Sequence, residues 1–135
     1  MMYRCLIANR GEIAVRIIRA CRELNIETVA IYAKGDENSL HVSLADQAIC
    51  IGEANPLDSY LNIDRIISAA KVTESNVIHP GYGFLSESTN FAKAVEDNHI
   101  HFIGPSKTTM EMMGDKITAR QTVKQAGVPD RKSVV

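Results

Sequence analysis

Nine consecutive residues, His79-Pro80-Gly81-Tyr82-Gly83-Phe84-Leu85-Ser86-Glu87, gather an imidazole, a phenol and a carboxylate around two glycines. Pro80 fixes one backbone torsion, while Gly81 and Gly83 open backbone conformations closed to residues with a Cβ. A loop built this way brings backbone N–H groups and the Glu87 carboxylate close to a ligand. For the Pro-Gly pair alone, an ordinary turn is the plainer explanation. His79, ending an apolar stretch, reads as a strand-end hydrogen-bond group rather than a catalyst. Glu87 has its own structural reading, a charge beside the start of the following helix.

A second group of polar residues, Asn9-Arg10-Gly11-Glu12, falls where an apolar run gives way to a helical pattern. Free N–H groups and positive potential at a helix start can receive an anion. Equally, Gly11 can permit a tight turn while Asn9 and Arg10 bond neighbouring loops, and both readings stay open. The G-x-G-x-x-G spacing of a dinucleotide site is missing, which argues against nicotinamide or flavin binding. Arg16, Arg19 and Glu23 share the polar face of the helix that follows, a solvated face by default, where Arg19 and Glu23 are spaced for an i,i+4 pair. Lys116, after Gly114-Asp115 at a helix start, can act as a point charge on phosphate. His99 and His101 alternate toward one face without a third ligand, so no metal site is expected.

These residues need elements to hold them. Apolar runs at 5–8, 28–32, 48–51, 76–79 and 101–103 read as strands, the second of them rich in β-branched residues. Between them lie stretches of helical period: Ile13, Ala14, Ile17, Ile18, Cys21 and Leu24, then Ile63, Ile66, Ile67 and Ala70 behind Pro56 and Ser59, then Phe91, Ala92 and Val95. Short strands alternating with amphipathic helices predict an α/β fold, an open, mostly parallel sheet with helices on both faces. Ligands in such folds bind beyond the carboxyl ends of the strands. The segments at 9–12 and 79–87 both follow strand ends and should converge there. Further on, 106–113 and 115–126 read as two helices stopped by Gly127 and Pro129.

With 135 residues, 45% of them hydrophobic, the chain can bury one sizeable core. A net charge of -1 without a basic run excludes a phosphate-backbone tracker, so no nucleic-acid partner is expected. No apolar run is long enough to span a membrane, and Arg4 and Arg10 interrupt the first apolar stretch against a signal peptide. Cys5, Cys21 and Cys50 are widely spaced in apolar segments and read as buried thiols of a reducing compartment, with the cytoplasm as the expected location.

Taken together, Ile7-Ala8-Asn9-Arg10-Gly11-Glu12-Ile13-Ala14, Ser59-Tyr60-Leu61-Asn62, the 79–87 string and Met113-Gly114-Asp115-Lys116 resemble the N-terminal domain of the biotin carboxylases, in matching order and spacing. Those proteins are the ATP-dependent component of acetyl-CoA, propionyl-CoA and pyruvate carboxylases. The resemblance runs from about Tyr3 to Pro129. It implies a Rossmann-like pre-ATP-grasp domain over 1–114, with 115–135 a helix and tail leading toward an ATP-grasp region that is absent. It implies that Tyr82 and Gly83 lie against biotin where bicarbonate and the ureido ring meet. Glu87 would orient an arginine from the C-terminal part of the enzyme, a pairing that a carboxylate can make bidentate. By the same resemblance Lys116 belongs to the ATP site, and Arg19 and Glu23 to a homodimer contact.

The intact enzyme so resembled uses Mg2+ and ATP to activate bicarbonate as carboxyphosphate, then carboxylates N1 of biotin on its carrier protein, for later use by a carboxyltransferase. Most of that machinery would lie beyond residue 135, so the chain is expected to be inactive alone, with no tightly bound cofactor of its own. The six residues after Pro129 match nothing in the family. A start so close to the first strand favours a bacterial subunit over an organellar enzyme. The alternative from another class is a non-enzymatic module that binds full-length carboxylase through the Arg19/Glu23 helix. A related ATP-grasp ligase such as carbamoyl-phosphate synthetase fits poorly, because of the motifs at 7–14 and 79–87.

Overall fold

The computed structural model describes residues 3–103. The helices expected at 106–113 and 115–126, the boundary at 114, and Lys116 lie outside the described residues.

Five strands, β1 (Arg4–Ile7), β2 (Glu27–Ala33), β3 (Gln47–Gly52), β4 (Val77–His79) and β5 (His101–Phe102), form one sheet in the order β3-β2-β1-β4-β5. Every pairing is parallel, with Ile7 opposite Ala30 on one side and opposite His79 on the other. The helices are α1 (Gly11–Glu23), α2 (Leu40–Leu44), α3 (Ile63–Val72) and α4 (Thr89–Asp97), with a 3-10 turn at Pro56–Asp58. Alternate side chains of β1 divide the core. Cys5 and Ile7 meet Ala14, Ile18 and Cys21 of α1, whereas Leu6 and Ala8 join Ile66, Ala70, Phe91 and Val95 of α3 and α4. Helices therefore cover both faces, as the periodicity requires.

Local signals place the elements. The Asn62 and Ser88 side chains cap α3 and α4 by accepting the N–H of Arg65 and of Phe91, satisfying donors that a helix start leaves free. At the other end of the sheet, the Asp46 carboxylate accepts both the backbone N–H and the hydroxyl of buried Thr28, at 2.8 and 3.0 Å, which sets edge strand β3 against β2.

The structure amends the expected core in three places. Leu24 ends α1 as its C-cap and stands 70% exposed, outside the stripe, while Val15, next to Ala14, is buried as well. The α2 segment is too short for its period to register. Cys50 is exposed on the edge strand; only Cys5 and Cys21 are buried. The hydrogen bond with Cys21, together with burial, pushes the Cys5 thiol far above its ordinary range, so it stays protonated and unreactive.

Phe91 is fully buried and meets Phe102 edge-on at 5.8 Å. Phe91→Ala is expected to cost about 3–5 kcal/mol in urea denaturation, whereas Leu24→Ala should change stability by no more than about 0.5 kcal/mol.

Candidate functional site

The direction in which the sheet grows reverses between β1 and β4. From β1 the chain turns to α1 on one face, and from β4 to α4 on the other, so the two loops part at the carboxyl edge and leave a crevice between them. Ala8 N–H donates to the His79 carbonyl at 2.9 Å, extending the β1–β4 pairing to the crevice mouth.

Asn9 lies there, only 2% exposed. Its Nδ2 donates to the carbonyls of Pro80 at 2.9 Å and Tyr82 at 2.6 Å, and its Oδ1 accepts Arg10 N–H at 2.8 Å. One carboxamide thus uses both of its donor hydrogens and its acceptor to tie the β1–α1 turn to the glycine loop. Gly81, between the two bonded carbonyls, has φ +67, and a Cβ there would come within 2.7 Å of Asn9 Nδ2 and 2.9 Å of Ile13 Cγ2. Gly83, at φ +69, faces open space. The segment at 9–12 therefore serves as the loop's support: Gly11, at φ +64, begins α1, and Asn9 and Arg10 make the inter-loop contacts.

The loop's second half rests on an aromatic cluster. Phe84 stacks on the fully buried Tyr60 ring with centroids 5.4 Å apart, and the Arg10 guanidinium lies over both rings, 5.3 Å from Tyr60 and 5.9 Å from Phe84. Tyr60 OH donates to Asp36 Oδ2 at 2.7 Å and accepts Ala33 N–H at 3.1 Å. Burial, with the Asp36 bond adding to it, pushes the Tyr60 phenol well above its ordinary range and keeps that donor proton in place.

Pro80 and Leu85 point inward, and Tyr82, Gly83 and Glu87 are all exposed, Tyr82 at 75%. The loop residues expected at a ligand are thus all open to solvent. Glu87 immediately precedes the α4 cap Ser88, the position its structural reading assigned. His79 is a hydrogen-bond group: its Nδ1 accepts Gly81 N–H at 3.1 Å, and burial pushes its pKa down. Arg19 and Glu23 are exposed on α1, far along the helix from this edge, and no ion pair joins them among the described residues. Asp36, Tyr60 and Phe84 had no role from sequence reasoning, although Tyr60 and Phe84 lie within the motifs. A separate groove of about 520 Å³ between β3 and α3, lined by residues such as Ile49, Arg65 and Val72, includes none of these loop residues.

Residues 1–110 match the family model described as biotin carboxylase, N-terminal domain. The chain belongs to this family. It is 57% identical to biotin carboxylase 1 of Bacillus subtilis over 129 residues, 96% of this chain but 29% of that protein. Among solved structures, the biotin carboxylase domain dimer of the Hydrogenobacter thermophilus 2-oxoglutarate carboxylase, in complex with MgADP, ADP and bicarbonate, superposes with a TM-score of 0.84 at 51% identity, over 96% of this chain and 28% of that one. The complete pyruvate carboxylase of Rhizobium etli gives a TM-score of 0.83 at 44% identity, over 95% and 13%. The chain thus corresponds to the N-terminal part of much longer carboxylases. No helix among the described residues is long and apolar enough to cross a membrane.

Two outcomes follow from the support of the loop. Gly81→Ala should cost about 2–4 kcal/mol, since a left-handed backbone and a Cβ collision add, whereas Gly83→Ala should cost only the backbone share of about 1–2 kcal/mol, both read by urea denaturation. His79 has a folded pKa below its unfolded value near 6.5, so the unfolded chain binds the proton first. Its contribution is complete above about pH 6.5 and is lost as the pH falls from there through the folded value. Thermal midpoints measured from pH 8 to pH 5 should drop on the acid side, and His79→Asn should flatten that drop.

Proposed function

We propose that this chain forms one wall of a biotin carboxylase site and contributes to ATP-dependent carboxylation of biotin only together with the rest of such an enzyme. The observation that carries this is the outward display of Tyr82, Gly83 and Glu87 on a loop clamped at the topological switch point. An exposed phenol ring beside an open glycine backbone offers a flat surface and a free edge to a small ring such as the biotin ureido group. Glu87, without an ion-pair partner among the described residues, is free to hold a guanidinium arriving from another domain.

In the same proposal Lys116 contacts nucleotide phosphate, and ATP, Mg2+ and bicarbonate are bound chiefly by domains beyond this one, from about residue 115 onward. The carrier protein and a carboxyltransferase are the partners. The exposed Arg19 and Glu23, unpaired with each other, are available to a second copy across a homodimer contact. The free, buried Cys5 and Cys21 support a reducing compartment such as the cytoplasm.

The purified 135-residue chain should show no ATP hydrolysis dependent on biotin and bicarbonate. Activity of that kind would overturn the proposal of an incomplete site. In a full-length carboxylase bearing this domain, Glu87→Gln should lower kcat for biotin carboxylation about 10–100-fold, as expected for losing a charged hydrogen bond, with KM for ATP unchanged. Unchanged kcat would remove Glu87 from the site. Arg19→Glu in the same protein should weaken the dimer in analytical ultracentrifugation.

A further inference from the structure

We propose that Asp36, on the loop after β2, is a positioning residue for the glycine loop, acting through Tyr60 on Phe84. The loop has two supports. Asn9 holds its first half through the carbonyls of Pro80 and Tyr82. The second half begins at Phe84, whose backbone has φ +46, a conformation that costs a bulky residue on the order of 1–2 kcal/mol and persists only where surroundings enforce it. The enforcing contact is the stack on Tyr60.

The Tyr60 ring is in turn fixed at its far end by its hydroxyl, which bridges Ala33 N–H and the Asp36 carboxylate. Asp36 is itself anchored by its backbone, donating to the Ala33 carbonyl at 2.9 Å and accepting Ser39 N–H at 3.0 Å. Its carboxylate also faces Arg10, with Oδ2 3.7 Å from the guanidinium that lies over both rings. At that length, with the Arg10 side chain 47% exposed, the ion pair contributes little. The 2.7 Å bond from a buried phenol to a carboxylate is the stronger element. Position 36 therefore acts through the oxygen that accepts the Tyr60 hydroxyl, and its charge strengthens that bond.

From Phe84 the order passes to Glu87 through two short bonds, Ser86 N–H to the Gly83 carbonyl at 2.9 Å and Ser88 N–H to the Leu85 carbonyl at 3.0 Å. These amides report on the second half of the loop. The functional consequence rests on the ligand-facing role given to Tyr82, Gly83 and Glu87 above; the positioning does not.

The test is amide hydrogen exchange on the chain, with Ser86 and Ser88 as reporters and the amides of β1 and β4 as the global reference. Asp36→Ala should raise exchange at Ser86 and Ser88 about fivefold, the equivalent of one hydrogen bond, without moving the reference amides. Asp36→Asn, which keeps a neutral oxygen for the Tyr60 hydroxyl, should restore part of the protection. Tyr60→Phe, which also removes the bond from Ala33 N–H, should raise exchange at least as much, and Asp36→Ala should add little in the Tyr60→Phe background, where the bond it removes is already gone. Unchanged exchange at Ser86 and Ser88 in both Asp36→Ala and Tyr60→Phe, or a rise only in step with β1 and β4, would overturn the proposal. In a full-length carboxylase bearing this domain, Asp36→Ala should reduce kcat/KM for biotin with KM for ATP unmoved. Normal kinetics beside a loosened loop would instead contradict the ligand-facing role.

Discussion

The joining of the two loops at the carboxyl edge depends on the buried carboxamide of Asn9. A side chain with two donor hydrogens and an acceptor is costly to bury unless all are used, and here they reach Pro80, Tyr82 and Arg10. Because β1 and β4 are neighbours, Pro80 and Tyr82 come within reach of Asn9 although they lie 71 and 73 residues further along the sequence. The same bonds leave room for no Cβ at position 81, so a glycine there is a packing requirement as well as a torsional one. The clamp and the glycine specify each other.

A crevice at a sheet's switch point is open by construction, and its loops carry backbone groups that no ladder satisfies. This domain stabilises them from two directions: the Asn9 amide under one half of the loop, and the Asp36–Tyr60–Phe84 relay with Arg10 under the other. Tyr82, Gly83 and Glu87 stay exposed above this bonded inner lining. In the proposed role, a wall ordered in advance suits a site that other domains complete, since ordering it on ligand arrival would subtract from binding. The family to which the chain belongs, and its span of 29% of a Bacillus subtilis relative, fit a domain of that kind.

Much of this was legible in the sequence. The alternation of β-branched runs with helical stripes gave the parallel sheet and its two helical layers, because burial on both faces leaves few other patterns open to short strands. The convergence of 9–12 and 79–87 followed from strand ends alone. Other features were not legible. Leu24 obeys the helical period yet falls on the cap, where the last turn has already left the core. Cys50 lies in an apolar run, but β3 is an edge strand and one of its faces stays open; strand order is a tertiary fact that no local window contains. The Asp36 relay joins three loops, and neither Asp36 nor Tyr60 carries a local signal of partnership. Tyr60 stood inside a recognised motif, and its aromatic character so near a polar loop was the one available hint.

The most direct measurement is solvent exchange of the Asn9 side-chain amide protons by nuclear magnetic resonance in the chain itself. If the carboxamide clamps the loop through Pro80 and Tyr82, both Nδ2 protons should exchange far more slowly than those of an exposed asparagine such as Asn38. Exchange at the rate of Asn38 would mean that the two loops are not joined, and the preformed wall would be contradicted.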